Sequence, residues 1–202
     1  MKIKSILITL ILSIFLSGQA SALELKEGKY SVDPAHTRVS FLIDHFVVSQ
    51  VEGRFNDVKG FFILSDDIEK SKVEVTVPIA SIDTGVKKRD DHLKSADFFD
   101  AKKYPTMTFK SKKFTGSLED FKVTGDLTIK DVTKEVTLNG KYTGSVKDSW
   151  GQIRSAVRAT GKINRKDFNI NYNDMVEAGP AVGDEVTIEI ISEGILEQPK
   201  KK

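Results

Sequence analysis

Residues 121–130, FKVTGDLTIK, decide the fold because apolar and polar side chains alternate along them without a break. The apolar members share one parity and are Phe121, Val123, Leu127 and Ile129. A period of two places such side chains on one face of a β-strand, while the polar face meets solvent. This stretch therefore predicts a half-buried strand.

The same alternation recurs along most of the chain and defines about eight strands. They are predicted near residues 37–46, 51–64, 73–79, 106–110, 121–130, 136–142, 153–163 and 186–190. The parity changes within the second of these segments, which predicts a bulge near Asn56-Asp57. Asn139-Gly140 has a hairpin signature. A turn there would leave only a short strand before it, so we favour a continuous strand with Gly140 at a bend.

The strands are joined by connections of hairpin length, and no helical period separates them. One-face alternation in every strand favours an antiparallel sheet wrapped around a single interior. We therefore predict an all-β fold, an eight-stranded antiparallel up-and-down barrel. A sandwich is the alternative, although the sequence does not indicate the Greek-key connections it would need. The predicted inward set combines phenylalanines with glycines, and this contrast of size either interlocks or leaves a tunnel.

One long interruption stands out, residues 81–105, SIDTGVKKRDDHLKSADFFDAKKYP. Charges cluster in its first half, two phenylalanines follow, and a proline ends it. We predict a short helical segment near residues 84–103, with Asp83 or Thr84 as its N-cap. The plain interpretation is a solvated connection anchored by two phenylalanines, and the functional interpretation is a gate over a cavity.

The chain begins with the pattern of a secretory signal: two lysines, an apolar run over residues 6–16, and a small-x-small motif that ends at Ala22. The apolar run has 11 residues, too few to span a hydrocarbon core that needs about 20. We predict a signal peptide at residues 1–22, cleaved after Ala22, and one mature domain at residues 23–202.

Charge and cysteine content exclude several classes of function. Removing the predicted signal takes away two lysines and no acidic residue, so 29 basic and 29 acidic groups remain. Nucleic-acid binding requires a basic excess on one face, and we predict no such partner. The chain has no cysteine, which excludes a lipoprotein anchor and a disulfide framework. Stability must therefore come from burial.

The chemistry-bearing residues form no recognisable catalytic or metal motif. His36, His45 and His92 share no metal-ligand spacing, and we predict no metal site. His45 has the inward parity of its strand, where a lone histidine is usually a hydrogen-bonded core or rim residue. The sequence has no nucleophile elbow, no dinucleotide fingerprint and no P-loop, so we predict no catalytic residue and no cofactor.

Arg89, Asp90 and His92 form the densest polar group beside the apolar interior. Local features favour ordinary ion pairing within a helix. The sharper hypothesis places Arg89 and His92 at a barrel mouth, where they would meet the polar or anionic end of a ligand.

An ordered series of segments extends over nearly all of the mature chain. The segments are DPAHTRVSF (33–41), SQVEGRF (49–55), SIDTG (81–85), RDDHL (89–93), FF (98–99), YPTMTF (104–109), GDLTIKDVT (125–133), NRKDF (164–168) and VGDEV (182–186). In this series the chain resembles the YceI-like family of periplasmic polyisoprenoid-binding proteins. Asp131 and Asn169 stand where that family usually has glycine, and both residue types tolerate a left-handed backbone.

The resemblance implies a lipocalin-like barrel whose interior holds a long isoprenoid or similar lipid, and hence a soluble carrier in the periplasm. The lipid tail would contact the inward apolar set: Val39, Phe41, Ile43, Phe55, Phe62, Val75, Phe98, Met107, Phe109, Phe121, Val123, Leu127 and Leu138. The head would meet His45, Arg89, Asp90 and His92 at the mouth. Because a carrier exchanges cargo at a membrane, transient contact with a membrane surface is part of this hypothesis.

Two alternatives remain open from the sequence. An enzyme acting on a lipophilic substrate would use His45 or His92 as acid or base, although the resemblance supplies no catalytic constellation. A filled barrel would instead serve as a scaffold for other envelope proteins. The identity of the lipid and the oligomeric state, a homodimer included, are also left open.

Overall fold

The structure is a computed structural model that describes residues 25–177 and 179–198. The predicted signal peptide lies outside these residues. The described strands are β1 Gly28–Val32, β2 Arg38–His45, β3 Ser49–Phe55, β4 Lys59–Leu64, β5 Lys72–Pro78, β6 Ile82–Asp83, β7 Thr106–Gly116, β8 Phe121–Ile129, β9 Val132–Lys147, β10 Ile153–Asn164, β11 Met175–Val176, β12 Gly179–Pro180 and β13 Val182–Leu196. The α-helix α1 is Lys87–Leu93, and the 3-10 helices are Ile68–Lys70, Ile79–Ser81 and Arg165–Phe168.

Hydrogen bonding closes the main sheet into a barrel. Strand β13 pairs with β2 through its first half, where Ile188 lies opposite Phe41, and with β1 at its end, where Gly194 lies opposite Val32. Strand β1 pairs with β4, and β2 pairs with β3, so these four strands form one long hairpin. In the barrel, β1 and β2 together count as one strand, and β3 and β4 together count as the next. Strands β5 and β6 occupy the next position, followed by β7, β8, β9, β10 and β13. The predicted eight-stranded antiparallel barrel is confirmed.

Several details follow the sequence, and others do not. Strand β9 runs without interruption through Asn139 and Gly140, as predicted. The chain leaves the sheet between β3 and β4 at residues 56–58, where the parity change predicted a bulge. Strands β1, β6, β11 and β12 were not predicted, because each is too short to show alternation against a polar background.

The predicted helix is present, but its N-cap is not the predicted residue. Helix α1 begins after Val86, which has φ −131° and provides no side-chain cap. Thr84 instead donates its hydroxyl to the Asp90 carboxylate over 2.6 Å. Thr84 therefore fixes the helix to the barrel from the segment before the cap, because its hydroxyl donates to a carboxylate of the first turn of α1.

Left-handed backbone occurs at one of the two positions where the family usually has glycine. Asn169 has φ 57° and ends the 3-10 helix Arg165–Phe168, as its residue type allows. In the β8–β9 turn the left-handed residue is Lys130, also with φ 57°, and not Asp131. The two-residue turn still forms without glycine at residue 131, because Lys130 at its first central position takes the positive φ.

Antiparallel order places the connections at two ends of the barrel. The upper end, as we name it, carries residues 46–48, 84–105, 130–131, 165–177 and 179–181. The lower end carries residues 65–71, 117–120 and 148–152. At the lower end Tyr30 is fully buried and stacks on Phe62 with ring centroids 5.2 Å apart. Aromatic side chains therefore pack the interior at this end.

Arg154 joins three segments across the lower end. Its Nη1 donates to Asp33 over 2.7 Å and to Glu193 over 2.6 Å, and its Nε donates to Asp148 over 2.8 Å. The hydrogen bond from Arg154 holds the pKa of Asp148 below its usual range. The corner between β1 and β2, strand β13 and the β9–β10 turn are thus fixed to one another where the barrel closes.

Because the pKa of Asp148 is lower in the folded state, its interaction stabilises the fold above its unfolded pKa of 3.8 and is lost as pH falls through the folded value. We expect Arg154→Gln to lower the free energy of unfolding by more at pH 7 than at a pH below 3.8, as measured by urea denaturation. Arg158→Gln, an exposed arginine on the same strand, is the matched control. An Arg154→Gln deficit of equal size at both pH values would contradict the linkage.

Candidate functional site

The barrel encloses a cavity of about 490 Å³ with an almost wholly apolar wall. It reaches from Leu64 and Phe114 near the lower end to Phe46 and Asp174 at the upper end. Phe46 and Asp174 are also exposed to solvent, so the cavity reaches the surface at the upper end. A volume in this range matches that of pockets that bury most of a small organic ligand.

The cavity stays open because phenylalanine rings lie on glycines of neighbouring strands. Phe41 lies opposite Gly53 and Phe121 opposite Gly140, and a Cβ on either glycine would overlap the ring. A Cβ on Gly125 would lie 2.7 Å from the ring of Phe109 in the same way. Each ring therefore occupies the space of a missing side chain on the next strand. Rings placed along the wall leave the centre of the barrel unfilled.

All thirteen residues of the inward apolar set line this cavity: Val39, Phe41, Ile43, Phe55, Phe62, Val75, Phe98, Met107, Phe109, Phe121, Val123, Leu127 and Leu138. Strands around the barrel and one connection contribute to the set, and strand parity alone identified all but Phe98. That these side chains bind a ligand stays a prediction.

Three of the four predicted head residues line the cavity, namely His45, Arg89 and His92. Asp90 does not, because its carboxylate accepts hydrogen bonds from the backbone and the hydroxyl of Thr84. Arg89 donates to the same threonine, from Nε to Oγ1 over 2.7 Å and from Nη2 to the carbonyl over 2.8 Å.

The ion pairing within the helix that local features favoured is therefore absent for these residues. Among the described residues, the partner of His92 is Asp97, whose carboxylate lies 2.9 Å from Nε2. The one intrahelical ion pair of α1 in this part of the chain joins Lys87 to Asp91.

Aromatic contacts connect the central interruption to the segment after β10. His92 packs edge-on against Phe98 and Tyr172, with centroids 5.0 and 4.9 Å away. Phe98 is 7% exposed, and Phe99 packs edge-on against Phe55 of β3. The interruption is thus anchored by both phenylalanines while it also borders the cavity, and its role as a gate stays a prediction.

Sequence reasoning missed Arg165, which is 3% exposed and borders the cavity at the upper end. Its guanidinium donates to the carbonyls of Ile170, Tyr172, Val182 and Gly183. Burial lowers the pKa of this guanidinium, while the Asp184 carboxylate 3.5 Å away opposes that shift. Arg165 therefore holds the loop that forms the upper end. The segment NRKDF contained the signal, but nothing local marks its arginine as buried.

Tyr172 extends this polar group towards solvent. Its hydroxyl donates to Asp174 over 2.8 Å, and this hydrogen bond raises the pKa of Tyr172. Both residues line the cavity. The upper end thus presents hydrogen-bond donors and acceptors, and both positive and negative side chains, beside an apolar wall.

Asp33, His36 and Glu193 lie within 4.8 Å of one another and include ligand types that metals use. Arg154 Nη1 donates to both carboxylates, so a protein cation already lies between them. The cluster therefore offers no argument for a metal. No helix among the described residues is long and apolar enough to cross a membrane.

We expect Gly53→Ala to push the Phe41 ring into the cavity and to destabilise the fold by about 1–3 kcal/mol, as overpacking does. Crystals under xenon pressure would show reduced occupancy of the cavity, and urea unfolding would report the stability. The double variant Gly53→Ala with Phe41→Leu should recover most of both, because the smaller side chain leaves room for the methyl group beside Thr84, whose Cγ2 would lie 2.9 Å from it. Unchanged xenon occupancy and stability in the single variant would refute the ring-on-glycine account.

The chain matches a family model described as a YceI-like domain over residues 30–193. Protein YceI of Escherichia coli O17:K52:H18 (strain UMN026) is 39% identical over 186 residues, which cover 92% of this chain and 93% of that protein. BcnA of Burkholderia cenocepacia has a solved structure that matches with a TM-score of 0.71 at 26% identity, over 80% of this chain and 98% of that one.

A solved domain from Saccharophagus degradans, described as polyisoprenoid binding and implicated in plant cell wall breakdown, matches with a TM-score of 0.62. It is 15% identical, and the match covers 85% of this chain and 100% of that domain. At this identity the likeness shows the fold alone.

Proposed function

The chain belongs to the family of YceI-like domains, and from this membership and its hollow apolar barrel we propose that it binds a long isoprenoid lipid and carries it through the periplasm. The observation that carries the proposal is the cavity of about 490 Å³, which opens at the upper end. A filled barrel would need no phenylalanine rings placed along the wall. The polyisoprenoid-binding description of the Saccharophagus degradans domain supports the same class of ligand.

The energetics suit a carrier that exchanges its cargo. Burial of a methylene contributes about 0.8 kcal/mol, so an isoprene unit of five carbons contributes up to about 4 kcal/mol relative to water. Such a chain hardly leaves a membrane unaided. An apolar cavity and the bilayer interior resemble each other as solvents, so the net free energy of transfer between them is small. The protein therefore takes up and releases lipid at a membrane instead of trapping it.

The polar groups at the upper end would meet the head of the lipid. Within residues 25–177 and 179–198, Nη1 of Arg89 has no hydrogen-bond partner, and neither has the ring of His45. Arg165 is less suited to this role because its nitrogens already donate to backbone carbonyls. Arg89 and His45 thus suit a polyprenyl or quinone-type head that accepts a hydrogen bond.

The periplasmic location rests on the predicted signal peptide at residues 1–22, which would direct the mature chain out of the cytoplasm. The enzyme alternative would use His92, whose pairing with Asp97 resembles an oriented base. Among the described residues no hydroxyl donates to His92, so we favour binding. Turnover that His92→Ala abolishes would decide for the enzyme.

Ala159→Phe tests the proposal because this small buried residue lines the cavity on β10. We expect the added ring to fill the interior and to lower retention of a polyprenol and of a long-chain quinone about tenfold or more, since lost burial of two methylenes is already worth that factor. Retention is measured by mass spectrometry after detergent-free reconstitution.

Thr160→Phe is the matched control, because the same ring is added at the next residue, which is exposed on the outer face. It should retain lipid at the wild-type level. Equal retention by both variants at the wild-type level would place the ligand outside the barrel.

A further inference from the structure

The exposed large apolar side chains are distributed unevenly between the two ends of the barrel. Among the described residues, seven large apolar side chains are exposed. Five of them lie at the upper end: Phe46, Val47, Val48, Val86 and Met175. The remaining two, Val146 and Trp150, lie at or next to the β9–β10 turn at the lower end. Val48 is 84% exposed and Met175 76% exposed. Large apolar side chains gathered at one end mark a contact surface more often than single scattered ones do.

The tip of the β2–β3 hairpin and the β11–β12 hairpin lie side by side next to the cavity opening. The amide of Phe46 donates to the carbonyl of Ala181 over 3.0 Å. A Cβ on Gly179 would lie 3.6 Å from Val47, so the β11–β12 hairpin contacts the β2–β3 tip. Phe46 and Ala181 also line the cavity. We name residues 46–48, 175, 179 and 180 the apolar rim, because their surface is continuous with the cavity wall at its opening.

The backbone of this rim does not favour the residues it carries. Phe46 has φ 51° and Val47 φ 64°, a region in which glycine and asparagine are far more common than a β-branched residue. Turn chemistry alone would select different side chains at these two positions. The chain instead exposes Phe46, Val47 and Val48 to solvent. Neither the turn nor the core requires apolar side chains here, which favours a role in binding a partner.

We propose that the apolar rim is a membrane-docking surface that inserts its tips into the surface of a lipid bilayer and places the cavity opening against the acyl chains. This inference rests on the proposed function, because an isoprenoid that avoids water needs a continuous apolar path from bilayer to cavity. A lipid surface is favoured over a protein partner because the rim is the outer edge of the lipid cavity itself.

Charge fits insertion rather than electrostatic attraction. The mature chain has equal numbers of basic and acidic groups, and Arg89 borders the opening together with Asp44 and Asp174. Neither sign of charge dominates at the opening, so anionic head groups gain little net attraction there. Docking depends on the apolar area that is buried, as for other proteins that insert an apolar face at the interface, and is insensitive to salt.

The experiment uses the mature chain with vesicles of phosphatidylcholine alone and with vesicles that also contain phosphatidylglycerol. The rim variant is Val47→Asn with Val48→Ser, since asparagine suits the positive φ at residue 47 and the fold is retained. The matched control is Trp150→Ser with Val146→Ser, which removes exposed apolar side chains from the lower end. Co-sedimentation reports docking, and the rate of polyprenol transfer from donor vesicles reports delivery.

We expect the rim variant to lose vesicle binding and transfer rate about tenfold or more, because two apolar side chains no longer leave water. Polyprenol retained at equilibrium should stay at the wild-type level, and the control variant should match wild type in every measurement. Binding should be equal for the two vesicle compositions and at low and high salt.

Wild-type vesicle binding by the rim variant would overturn the inference, as would an equal loss in the control variant. A dimer of the wild type that the rim variant dissociates, without vesicle binding, would assign the rim to a second copy of the chain and also overturn it. If wild type holds no polyprenol yet binds vesicles through the rim, the proposed function fails and the docking surface stands. If wild type retains polyprenol but its vesicle binding does not depend on the rim, the docking surface fails and the proposed function stands.

Discussion

The structure depends on phenylalanine rings that lie against glycines on neighbouring strands of a closed sheet. Closure removes the free edges of the sheet and fixes how wide the interior is. The rings of Phe41, Phe109 and Phe121 then take the space where Gly53, Gly125 and Gly140 carry no side chain. The apolar side chains therefore line the interior without filling it. The cavity on which the proposed function depends is the volume that these pairs leave empty.

The two ends of the barrel differ because different interactions hold them. At the lower end Tyr30 stacks on Phe62, and Arg154 joins Asp148 to the closing strand, so this end is packed and paired. At the upper end Arg165 holds a loop through backbone carbonyls, and the cavity reaches solvent beside it. The proposed lipid chain would therefore enter at the upper end.

Strand parity predicted the fold and the apolar wall, because a half-buried strand records its inward face in the sequence. It did not predict whether the barrel is hollow, since this depends on which way each ring turns and on which glycine lies opposite. Arg165 escaped notice because its partners are backbone carbonyls, which leave no mark in the sequence. Asp90 was assigned to the ligand because it lies between Arg89 and His92 in the sequence, whereas its carboxylate accepts hydrogen bonds from Thr84. Contacts made by the backbone and by tertiary packing are the part that sequence patterns omit.

Native mass spectrometry of the mature protein, purified from its own organism without detergent, tests the central claim that the hollow barrel holds an isoprenoid chain. The account predicts a stoichiometric adduct that organic extraction releases and identifies as a polyprenyl or quinone-type lipid. A clean mass of the protein alone, with no uptake when such lipids are offered, would contradict it.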